Sequence, residues 1–65
     1  MPMNPEIYRS AGVLIEHYGA RAKAEALQLA NGMFVRGDLD GQRVWLAIAK
    51  VVDELQDERL EQVAR

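Results

Sequence analysis

Asp38 and Asp40 stand one residue apart in the stretch GDLDGQRVW, residues 37–45, flanked by Gly37 and Gly41 and followed by the only tryptophan, Trp45. Carboxylates at that spacing suit three tasks: holding a cation, moving protons, or starting a helix. A calcium loop of the EF-hand kind needs oxygen ligands at its positions 1, 3 and 5, glycine at 6 and glutamate at 12. With Gly41 as position 6, Asp38 and Asp40 take positions 3 and 5, but position 1 is Arg36 and position 12 is Ala47. With Asp38 as position 1, Arg43 stands where glycine is required. A paired-carboxylate acid–base site needs burial and a cleft that shifts one pKa, which a glycine-flanked loop in a short chain offers poorly. The third task fits the residues best. Gly37 lets one helix end, Asp38 or Asp40 accepts backbone N–H bonds at the start of the next, and the free carboxylate favours the positive end of the dipole. Trp45 then falls in the first turns of that helix and is delivered to the core.

The other chemistry-bearing residues read the same way. His17 lies beside Glu16 but is the only histidine, so a multi-histidine zinc site within one chain is excluded, and a surface histidine near a helix C-terminus is the simpler account. Ser10 is the only serine and lacks a Gly-x-Ser-x-Gly setting. Tyr8 and Tyr18 suit boundary positions, with the ring packed and the hydroxyl wet. Gly37 and Gly41 do not form a phosphate loop, for want of a GxxxxGK[ST] ending and a preceding strand. No catalytic, cofactor-binding or metal-ligating residue is assigned, no cofactor is expected, and the chain reads as a non-enzyme.

Three helices must position these residues, at about 5–18, 20–36 and 40–56, in one domain spanning 1–65. Asn4 is the N-cap of the first, with Pro5 in the first turn and Glu6 near the positive dipole end. Ile7, Tyr8, Ala11, Leu14, Ile15 and Tyr18 form its apolar stripe. Gly12 sits inside it, at a cost of about 1 kcal/mol relative to alanine, and predicts a close helix neighbour. Gly19 ends it. In the second helix, ARAKAEALQLANGMFVR, steps of 100° leave Arg21, Glu25, Gln28 and Arg36 on a polar arc. Ala24, Leu27, Ala30 and Phe34 lie on one apolar side, and Ala22, Ala26, Leu29 and Met33 on another. A helix apolar around most of its girth is mostly buried. In the third helix Val44, Trp45, Ile48, Val51, Val52 and Leu55 make one stripe, with Leu46, Ala49, Leu60 and Val63 on its flank. Past Leu55 the stripe fails, so residues 58–65 are read as a frayed or partly ordered helix in preference to a segment that meets another chain. Acidic residues Asp53, Glu54, Asp57, Glu58 and Glu61 gather near the negative dipole end.

Length and composition set the need for a partner. Sixty-five residues bury a small share of their surface, and chains this short gain stability from disulfides, metals, very good helix packing or self-association. There is no cysteine, which excludes disulfides and thiolate metal sites. The net charge of −2 shows no excess of basic residues, the usual footprint of nucleic-acid binding. The opening MPMNPEIYRS lacks the pattern of a signal peptide, and the longest apolar run, VWLAIA, is too short to span a membrane, so the expected location is the cytoplasm, with neither membrane nor nucleic acid as partner.

The run Tyr8-x-x-Ala11, VLIEHYG with Ala22 and Ala26 downstream, and then GDLDGQRVWLAIAKVVDEL, resembles small uncharacterised proteins of alphaproteobacteria that carry a GD-x-x-G-x-x-x-W-x-x-I block. Gly37, Asp38, Gly41, Trp45 and Ile48 occupy the matching places, and the likeness covers roughly residues 6–56. The resemblance implies an all-helical domain of unknown function and brings over no catalytic or cofactor residue.

These readings predict an all-α fold, a small three-helix bundle assembled as a homodimer. Ala22, Ala26, Leu29 and Met33, with Leu46 and Leu60, form the predicted subunit contact, because two companion helices would struggle to cover the second. The predicted function is a dimerisation or protein-interaction module, with itself and possibly another protein as partner. One alternative is a helix–turn–helix DNA-binding regulator, although Asp53, Glu54 and Asp57 on the reading helix would repel phosphate. The other is a domain that binds a small ligand or ion, with Tyr18, His17 or the aspartates lining a pocket at an interface.

Overall fold

The computed structural model describes the backbone over residues 4–63 and the side chains over residues 4–57. The described residues are all-helical, with no strand: α1 (Pro5–Tyr18), a 3₁₀ turn (Gly19–Arg21), α2 (Ala22–Val35) and α3 (Leu39–Val63). The second predicted helix therefore opens with a 3₁₀ turn. The third continues as one element through residues 57–63, past its predicted end at 56.

Local chemistry accounts for each boundary. Asn4 Oδ1 accepts a hydrogen bond from the Glu6 N–H at 2.9 Å, and Pro5 opens α1 where a missing N–H costs nothing. The chain leaves α1 at Gly19, whose N–H still reaches the Ile15 carbonyl. At the other corner three residues, 36–38, reverse the chain. Gly37 adopts φ 81°, a left-handed conformation that a Cβ would strain. That geometry lets the Gly37 N–H reach the Phe34 carbonyl at 3.0 Å and the Asp38 N–H reach the Met33 carbonyl at 2.8 Å. This is the paired closure of a Schellman motif. Asp38 at once begins α3: its carbonyl accepts from Gln42 N–H at 3.0 Å and its Oδ1 from Gly41 N–H at 2.8 Å. Of the two aspartates left open by the sequence, Asp38 is the cap, and Asp40 lies exposed in the first turn.

The core gathers Ala11 and Leu14 from α1, Ala22 and Ala26 from α2, and Ile48, Ala49, Val51 and Val52 from α3. Ile7, Tyr8, Ile15, Trp45 and Leu55 pack around it. On α2, Ala22, Ala26 and Ala30 recur every fourth residue and are all buried, so a single row of methyl groups faces inward. That row brings the backbones close together and leaves little room for large side chains. Among the described residues only Val52 combines full burial with a side chain larger than alanine. Trp45 accordingly stops at the edge of the core, half-buried, instead of filling its centre. Ala49, predicted on a flank, is buried, while Val44, predicted in the stripe, is exposed. The inward face of α3 is rotated because it serves two neighbours, α1 and α2. The neighbour predicted beside Gly12 is absent among the described residues: beyond its chain neighbours and the backbone of its own helix, no atom lies within 4 Å of where its Cβ would stand.

The molecule is flat, 44 × 27 × 15 Å, with a radius of gyration of 12.4 Å. A compact chain of this length has a radius of about 11 Å. Its accessible surface is 5169 Å², whereas a compact monomer of 7.3 kDa exposes about 4,200 Å². The helices are unequal: α3 has 25 residues against 14 each in α1 and α2.

Candidate interaction face

Lys23 and Asp53 define where one side of α2 adjoins one side of α3. Their Nζ and Oδ1 atoms lie 3.4 Å apart, with both side chains about half exposed, so the pair contributes at most about 1 kcal/mol. Its value is geometric. Leu27 and Phe34 follow Lys23 at helical spacings of four and eleven, and Leu46 precedes Asp53 by seven, so all three lie on the sides that meet at this ion pair. Leu27 is 42 % exposed, Leu46 44 % and Phe34 56 %. The outer face of the α2–α3 hairpin thus carries three large apolar side chains in water, while the interior of α2 is lined by alanines.

The predicted contact residues divide. Ala22 and Ala26 are fully buried against the chain's own helices. They offer no surface to a second copy, and on this point the sequence-based assignment is corrected. The reason is steric, since the alanine row is the side on which α3 can approach most closely. Met33 is half-buried at the α2–α3 corner, its Sδ 3.0 Å from where a Gly41 Cβ would stand. Leu29 is 39 % exposed, nearly as much as Leu27, on the opposite flank of α2 from Leu27 and Phe34. Leu46 is on the outer face. The side chain of Leu60 lies outside the described residues.

Sequence reasoning missed Leu27 and Phe34 as surface residues. It placed them on one of two apolar sides of α2, next to Ala30, and chose the other as the contact. A usable signal was present. Alanine recurs at 22, 26 and 30, a row that runs from one of those sides to the edge of the other, and a row of small residues is the one that permits close backbone approach. The polar arc is mostly outside, with Arg21, Gln28 and Arg36 exposed and Glu25 half-buried.

The other candidates stay apart. His17 is exposed in the last turn of α1, its ring 6.5 Å from that of Tyr18 and tilted by 51°. Ser10 is half-buried in α1, and Asp40 is exposed at the far corner. Among the described residues, no three histidine, aspartate or glutamate side chains converge in a way that would hold a metal ion. No described helix is long and apolar enough to cross a membrane.

Fold and face together define a small all-helical unit with an exposed apolar side. Comparison with family models, curated proteins and solved structures finds no match to this chain.

Proposed function

We propose that this chain is a non-enzymatic protein-interaction module of the cytoplasm, which uses the outer face of the α2–α3 hairpin to dock a protein chain, its own copies included. One observation carries the reading: Leu27, Phe34 and Leu46 are exposed together while alanines occupy the interior of α2. Burying a large apolar side chain contributes about 1.5–3 kcal/mol, so three half-exposed ones leave a gain of a few kcal/mol unrealised in the isolated chain. Exposed apolar surface that gathers on one face marks docking sites, and helical spacing puts these three residues on the sides of α2 and α3 that meet at Lys23 and Asp53.

The test is capture with the whole chain as bait, comparing it with Leu27→Glu and Phe34→Glu. Each variant places a carboxylate where docking would strip it of water, at a position exposed enough to leave the fold unchanged. The expected result is a partner, free chain or other protein, held by the parent and lost by both variants, with helical circular dichroism preserved. Retention of every partner by both variants, or no partner at all, would overturn the reading.

A further inference from the structure

We infer that Asn31–Gly32 is a site of spontaneous modification on this face, held shut by α2, and that its conversion to aspartate ends docking. This inference rests on the docking face proposed above and adds how that face is regulated. Asn31 follows Leu27 by four positions and precedes Phe34 by three, so helical spacing places it between them, and it is exposed. The glycine after it supplies the chemistry. Gly32 N attacks Asn31 Cγ, ammonia leaves, and a five-membered succinimide forms. Water then opens the ring at either carbonyl. One product is aspartate, and the other is an isoaspartyl linkage that carries the main chain through the side-chain carbon. Water is the only co-reactant. A side chain on residue 32 would crowd the attacking nitrogen, and glycine has none.

Inside α2 the Gly32 N–H is committed to the helix ladder, and the helical backbone holds its nitrogen out of line for attack on Cγ. The restraint is local and weak. Asn31 and Gly32 are adjacent poor helix formers, and α2 ends three residues later at Val35. From Asn31 to Arg36 every residue is exposed except half-buried Met33. Beyond its chain neighbours and its own helix backbone, no described atom lies within 4 Å of where a Gly32 Cβ would stand. A helix end with so little buried side chain opens without the rest of the fold. The Asp40–Gly41 pair is the contrast. There the Gly41 N–H is held by Asp38 Oδ1 at 2.8 Å, and the glycine is half-buried beside Met33. Conversion at Asn31 sets a carboxylate between Leu27 and Phe34, where docking would strip it of water.

Two measurements decide it. The first incubates the full chain at neutral pH, native and in urea, and follows the tryptic peptides 24–36 and 37–43, which separate Asn31 from Asp40, by mass spectrometry. The expected result is amide-to-acid conversion with an isoaspartyl form in 24–36, while 37–43 lags. The native chain should convert about 10- to 100-fold more slowly than the unfolded one, and Gly32→Ala more slowly than the parent in urea. Earlier conversion in 37–43, equal rates in the two states, or a native rate no faster than the measured global unfolding constant allows would each overturn the inference. The second is capture with Asn31→Asp and Asn31→Gln beside Leu27→Glu and Phe34→Glu. Asn31→Asp is expected to hold the partner at least about tenfold more weakly, and Asn31→Gln to hold it as the parent does. A partner lost by Leu27→Glu and Phe34→Glu but kept by Asn31→Asp overturns the switch and leaves the docking face standing. A partner kept by all of them removes both.

Discussion

Gln56 Nε2 donates a 2.8 Å hydrogen bond to the Gly19 carbonyl, tying α3 to the α1–α2 corner across 37 positions of sequence. The corner has no side-chain cap of its own on the 3₁₀ turn or on α2. Gln56 therefore supplies a contact that local sequence does not.

Gln56→Ala is expected to destabilise the chain by about 0.5–1 kcal/mol, the lower part of the usual range because the bond is exposed to water. Gln56→Glu should cost at least as much, since a carboxylate cannot donate to a carbonyl. Urea denaturation of the three proteins checks both. An unchanged midpoint in both variants would mean that the bond contributes nothing in solution.

Asp38 serves two helices, but its side chain caps only α3. Asp38→Ala is expected to cost about 1 kcal/mol, whereas Asp38→Asn, which keeps an acceptor oxygen, should cost much less. Thermal melts would show the order parent, then Asn, then Ala. Equal loss in both would point to charge at the helix dipole, and not the hydrogen bond, as the main contribution.

Two helical glycines are expected to respond oppositely to alanine. Gly32 is exposed, and beyond its chain neighbours and its own helix backbone no described atom lies within 4 Å of where its Cβ would stand. Gly32→Ala should therefore stabilise by roughly 0.5–1 kcal/mol through helix propensity. At Gly41 the added Cβ would stand 2.8 Å from Asp38 Oδ2 and 3.0 Å from Met33 Sδ. The capping carboxylate must then shift, so Gly41→Ala should forfeit the propensity gain and lower the melting temperature below that of Gly32→Ala. A rise of equal size in both would mean that the corner is looser than its hydrogen bonds indicate.

Ala26 separates a core position from a contact position. Buried within the chain, it has no room for three more carbons, and Ala26→Leu is expected to destabilise by about 1–3 kcal/mol through overpacking. On a subunit surface the same change would add apolar area and tighten association. Unfolding of the Leu variant at a concentration where the chain is monomeric distinguishes the two. A more stable monomer would return Ala26 to the surface.

Much of the architecture was legible in the residues because its causes are local. Asn4 and Pro5 start α1, Gly19 ends it, and Gly37 with Asp38 turns α2 into α3. Each acts through hydrogen bonds spanning a few positions. The corner residues were therefore readable as structure instead of as an ion site, although the sequence did not distinguish Asp38 from Asp40 as the cap. The inward residues of α1 were also readable, since Ala11 and Leu14 sit within a single apolar stripe. What periodicity could not decide was which apolar side of α2 turns inward. Leu27 and Phe34 lie on one side and Ala22 and Ala26 on the other, and a helix apolar nearly all round has no unique inner face. That choice depends on how closely α3 can approach and on where Lys23 meets Asp53. Sequence alone determined three helices and the corners that join them. Tertiary packing decided that the alanines are the side covered from within and that Leu27, Phe34 and Leu46 are left outside, because close approach of two backbones selects small side chains and displaces large ones.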